Sequence, residues 1–114
     1  MGNNIGTTGE MTVEGGNLTV GQFLEIGYRG TGTFNMQGGS VQTGIYDINV
    51  GTFDTASGTL NVSGGTLTAD RFLFVGEAGP GVMNMSGGTV AVTVNDVSVG
   101  QNITGVGSLS MTDG

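Results

Sequence analysis

The chain has 114 residues, of which 25 are glycine and one is proline, a glycine load far above the roughly 7% of ordinary globular proteins. Two Lys/Arg against nine Asp/Glu give a net charge of −7, too few cations to neutralise a phosphate backbone or an anionic membrane surface. The absence of cysteine and histidine removes disulfides, zinc–thiolate sites, thiol catalysis and the commonest general base. No apolar run approaches the roughly 20 residues of a membrane span, and no signal peptide opens the chain.

Glycine richness alone suggests low complexity, but the apolar residues sit at fixed phases between the glycines. Residues 1–8 read as the end of a coil preceding the first repeat. A strand motif then begins at a glycine with apolar third and fifth positions, as in Gly9-Glu10-Met11-Thr12-Val13. It returns from Gly32, Gly58, Gly81 and Gly107. Alternation of this kind predicts a half-buried strand. Each motif runs into a double glycine, at Gly15-Gly16, Gly38-Gly39, Gly64-Gly65 and Gly87-Gly88, which predicts a sharp corner. The spacings of these pairs are 23, 26 and 23 residues, so the larger unit is 49 residues built of two unequal halves.

Past each corner a second short strand centres on Leu18, Val41, Leu67 and Val90. A third ends at a glycine: Leu24–Gly27, Ile48–Gly51, Leu73–Gly76 and Val97–Gly100. No helical periodicity occurs. The pattern predicts an all-β, right-handed parallel β-helix of about four to five coils, each of 23–26 residues with three short strands. Residues 9–57 and 58–106 form the two-coil repeats, and 107–114 starts a further coil.

Stacking at about 4.8 Å between coils places like over like. The expected buried columns are Leu18/Val41/Leu67/Val90, Leu24/Ile48/Leu73/Val97, Ile26/Val50/Val75/Val99 and Val13/Met36/Val62/Met85/Met111. Residues 1–9 overlay 99–107 without a gap, and neither end shows a distinctive polar cap. That predicts a section of a longer array, or copies that stack end to end into a homo-oligomer or filament.

The run from Gly58-Thr59-Leu60-Asn61-Val62 through Gly64-Gly65, Phe72-Leu73-Phe74-Val75-Gly76 and Gly79-Pro80-Gly81 resembles the autotransporter (type V secretion)/PEP-CTERM-associated repeat. The likeness covers essentially the whole chain. It implies a β-helical passenger or stalk outside a Gram-negative cell. It carries the cellular location, extracellular or on the outer cell surface, because the chain itself shows no signal peptide, translocator barrel or sorting segment. The expected role is structural and non-enzymatic, with no cofactor and no metal.

Candidate sites are few. The outward column Thr12, Asn35, Asn61, Asn84 and Ser110 offers a polar ladder for cell-surface glycans, or simply the wet side of a strand. Asp47 and Asp96, two coils or roughly 9.6 Å apart, are the carboxylate pair a polysaccharide-active enzyme would need. Asp70 stands next to Arg71 and is expected to pair with it. Asp47, Asp54, Asp96 and Asp113 are the oxygen donors for weak calcium binding. Asn17, Asn61, Asn84 and Asn102 begin N-glycosylation sequons. Thr66-Leu67-Thr68 and Thr31-Gly32-Thr33 resemble pieces of a flat ice-binding ladder. Phe74 replaces the polar residue of its column, otherwise Glu25, Asn49 and Ser98.

Overall fold

A computed structural model of the chain describes residues 1–100 and 105–112. Its elements are thirteen strands: β1 (Thr8–Val13), β2 (Asn17–Thr19), β3 (Leu24–Ile26), β4 (Thr31–Met36), β5 (Ser40–Gln42), β6 (Ile48–Val50), β7 (Ser57–Val62), β8 (Thr66–Ala69), β9 (Leu73–Val75), β10 (Pro80–Met85), β11 (Thr89–Val92), β12 (Val97–Val99) and β13 (Val106–Met111). All pairings are parallel and join each strand to its equivalent one coil away. Three sheets result, ordered β1-β4-β7-β10-β13, β2-β5-β8-β11 and β3-β6-β9-β12. The chain is a parallel β-solenoid of about four turns with three strands per coil, as the repeat predicts.

Register is set by the inward column. Phe34 pairs with Leu60 and Met36 with Val62, while Val41 stacks on Leu67 and Ile48 on Leu73. All eight are at most 1% exposed, so a one-residue slip would turn every one of them out to water. Burial is weaker on the outermost coil: Val97, Val99 and Met111 are 48%, 45% and 56% exposed. Leu18 and Val90 are half-buried. The expectation that these complete their buried columns is corrected here for a simple reason. A solenoid side chain is covered from both sides only when a coil lies on each side of it.

Two corners rest on glycine for different reasons. At the double-glycine corner the second member takes φ of +79° to +81° at Gly16, Gly39, Gly65 and Gly88, a region costly for L side chains. The first member needs a bare Cα, since a Cβ on Gly64 would fall 2.4 Å from the Gln37 carbonyl of the coil below. Where third strand meets first, a Cβ on Gly58 would lie 2.1 Å from the Ile26 oxygen and 2.5 Å from the Gly51 nitrogen. The coil closes there by backbone against backbone.

Inter-coil hydrogen bonds continue round the corners. Gln37, Ser63, Ser86 and Thr112 each donate N–H to the carbonyl ending the strand below, at 2.8–2.9 Å. Met1 accepts from Gly27 N–H as Ile26 accepts from Gly51 N–H, so the first residues stand as the tail of a coil beneath the first. The longer second coil takes up its extra residues in two places. One is the turn after Gly51, where Ala56 is buried. The other is the bend at Thr43-Gly44, where fully buried Thr43 donates its hydroxyl to Tyr46 O at 2.9 Å.

Candidate functional site

The outward asparagine column is brought into line by the first sheet. Thr12, Asn35, Asn61, Asn84 and Ser110 are consecutive register partners on β1, β4, β7, β10 and β13. Asn84 Nδ2 donates to Asn61 Oδ1 at 2.9 Å, and Asn61 Nδ2 to Asn35 Oδ1 at 2.8 Å. Asn35 Nδ2 ends the chain on Glu10 Oε1 at 3.0 Å. Every amide therefore donates in one direction along the solenoid, and the carboxylate closes the series. Chains of this polarity reinforce one another. Asn35 and Asn61 spend both ends of their amides on neighbouring coils, which makes the ladder an inter-coil brace.

The third sheet carries the other concentration of chemistry. Six of the seven aromatic residues lie on it or flank it, the exception being the core residue Phe34. Phe23 and Tyr46 meet edge to face at 5.2 Å, Tyr28 and Phe53 at 4.9 Å, and Phe72 stacks on Phe74 at 5.0 Å. The outward Phe74 is thus half of a pair that begins one residue before its strand. Both arginines sit here too: Arg29 lies over the Tyr28 and Phe53 rings at 5.6 and 5.2 Å, and Arg71 over Phe72 at 5.9 Å.

Arg71 reaches Asp47 on the coil below, Nε to Oδ1 at 3.5 Å, which corrects the expected local pairing with Asp70. The backbone explains this. Arg71 and Asp70 are chain neighbours with different partners, and Asp47 lies on the coil beneath Phe72, whose N–H it accepts. Asp70 Oδ1 instead accepts from Thr93 Oγ1 at 3.1 Å. Asp47, 6% exposed, also accepts Phe72 N–H at 3.1 Å, whereas its repeat equivalent Asp96 is exposed. One carboxylate is bound up in structure and the other is open to water.

Of the calcium candidates, Asp54 is exposed on its turn, and Asp113 lies outside the described residues. Among the described residues, no three of the His, Cys, Asp and Glu side chains converge on a metal position. The sequon at Asn102 lies outside the described residues, and Asn61 and Asn84 belong to the ladder. The two threonine pairs fall on different sheets, β4 in one and β8 in another, so they share no face.

One group escaped the sequence reading. Asn49, 5% exposed in the middle of β6, donates Nδ2 to Glu25 Oε1 at 3.0 Å, and Thr52 Oγ1 donates to Glu25 Oε2. On the next coil, burial pushes the Glu77 carboxyl above the usual carboxylate range, reinforced by the negative charges of Glu25 and then Asp47. Asn49 Oδ1 and Glu77 Oε2 are both buried without a hydrogen-bond partner. Glu25 and Asn49 are visible in the sequence as outward strand residues. Thr52 and Glu77 sit in turns, where two-residue alternation carries no information about facing.

No family model, curated protein or solved structure matches the chain.

Proposed function

We propose that the chain is a structural, non-enzymatic β-solenoid segment of a bacterial extracellular or surface protein, serving as a stalk or as a fibre unit that stacks end to end. The observation that carries this reading is the unbroken register of the first sheet, in which five strands repeat the same inward and outward columns. An enzyme site is usually a local break in such a pattern. Here the most distinctive outward column uses its amides to brace the coils. Stacking is supported by the outermost coil, where Val97, Val99 and Met111 are 45–56% exposed in columns that are buried in the inner coils. A further coil, whether of the same chain or of another copy, would cover them, and parallel strand edges template that addition. The bacterial exterior rests on the repeat resemblance.

Electron microscopy with light scattering over a wide concentration range tests the proposal. Rods or end-to-end oligomers are expected; dispersed monomers at every concentration would overturn the stacking part of it. The competing reading, an adhesive surface built on Asn35, Asn61 and Asn84, predicts glycan binding that is lost when these three are replaced. The scaffold reading predicts loss of stability instead.

A further inference from the structure

Asn49 is buried in the middle of β6 with an amide that has only one donating end. It gives its N–H to Glu25, as described above, and so turns a carbonyl oxygen toward the opposite coil. The register identifies what that oxygen meets. Glu25 lies two residues before its corner glycine, Gly27, and Thr52 one residue after Gly51 on the next coil; these two are hydrogen-bonded. Asn49 lies two residues before Gly51, and Glu77 one residue after Gly76. Glu77 therefore holds the position relative to Asn49 that Thr52 holds relative to Glu25. Stacking of these turns is direct: Thr52 N–H donates to Gly27 O, and Glu77 N–H to Gly51 O. Two buried acceptors in these adjacent turns, Asn49 Oδ1 and Glu77 Oε2, are each left without a hydrogen-bond partner.

A buried acceptor with no donor costs on the order of 1–3 kcal/mol, and more when charged. One hydrogen satisfies both oxygens at once. We propose that Glu77 binds a proton from solvent in the folded chain and donates it from Oε2 to Asn49 Oδ1, forming a pH-sensitive latch between the second and third coils.

The surrounding charges favour the proton. Glu25 on β3 and Asp47 before β6 are anionic, and Arg71 is engaged with Asp47. Arg29 is held over the Tyr28 and Phe53 rings, while Asp54 and Asp96 are exposed. Residues 101–104, outside the described part, contain no ionisable side chain. Because the carboxyl's folded value is raised, its stabilisation is complete below the unfolded value and is lost as pH rises through the folded one. Acidification tightens this joint and alkalinity loosens it.

Carbon-detected NMR titration of the Glu77 carboxyl, assigned by its loss in Glu77→Gln, tests the latch on the whole chain. The expected midpoint lies above that of the glutamates in the urea-unfolded chain. Glu77→Gln supplies a permanent N–H to Asn49 Oδ1, so its melting temperature should show a smaller fall across that pH range than the wild type. A midpoint at or below the unfolded one overturns the proposal, and the wild-type titration decides this even if the variant fails to fold. It is also overturned if calcium chloride, at constant ionic strength and neutral pH, raises the wild-type melting temperature but not that of Glu77→Gln. A cation would then occupy the proton's place.

Discussion

Single glycines in this chain do unlike jobs, and alanine separates them. Gly39 has φ of +79°, and an added Cβ would lie 2.4 Å from Gly16 O, so Gly39→Ala meets strain and collision together. The strain alone is about 1–2 kcal/mol. At Gly21, φ is not positive and a Cβ would find open space. Gly21→Ala should be neutral or stabilise by about 0.4–1 kcal/mol through the unfolded chain. Urea unfolding of the two variants side by side checks the contrast. The asparagine ladder invites the same treatment. Asn61→Ala removes the hydrogen bonds to Asn35 and from Asn84, and a loss of roughly 1–2 kcal/mol is expected in urea titration, at about 1 kcal/mol per bond. A change below the error of the measurement would mean that the ladder is a bystander.

At the level of strands, the sequence made the inward columns legible because alternation has a fixed period of two and the repeats supply the alignment. Phe34 is the largest of these side chains and is fully buried between Met11 and Leu60 of adjacent coils. Phe34→Ala should cost about 3–5 kcal/mol, the usual range for removing a core aromatic, read from the urea midpoint. The third sheet was less legible. Phe74 stood out in its column, but its stacking on Phe72 depends on the bend ahead of β9. The Arg71–Asp47 contact depends on which residue the next coil sets beneath a corner. Neither follows from alternation, since corners and turns carry no fixed period.

For the whole molecule, stability is shared between neighbouring coils, as in other solenoids, so the outermost coil holds the fewest contacts and frays first. Hydrogen exchange should therefore protect β4–β9 more strongly than β12 and β13. The association proposed above belongs to this scale as well. Replacing Val99 and Met111 together by lysine puts two charges on the outermost apolar surface. Light scattering should then show shorter assemblies with the melting temperature nearly unchanged, because both residues are already about half exposed. Unaltered assembly length would place the contact elsewhere.

The sequence by itself determined that the backbone winds in parallel coils, which residues point inward, and where the corners fall. Those features are local and repeat at a known interval, so one coil constrains the next. Only the tertiary structure decided how the turns and outward side chains meet between coils: Asn onto Asn, Arg71 onto Asp47, and Asn49 and Thr52 onto Glu25. Such contacts join residues 23 to 27 positions apart, and they depend on how an uneven coil closes rather than on any short-range pattern.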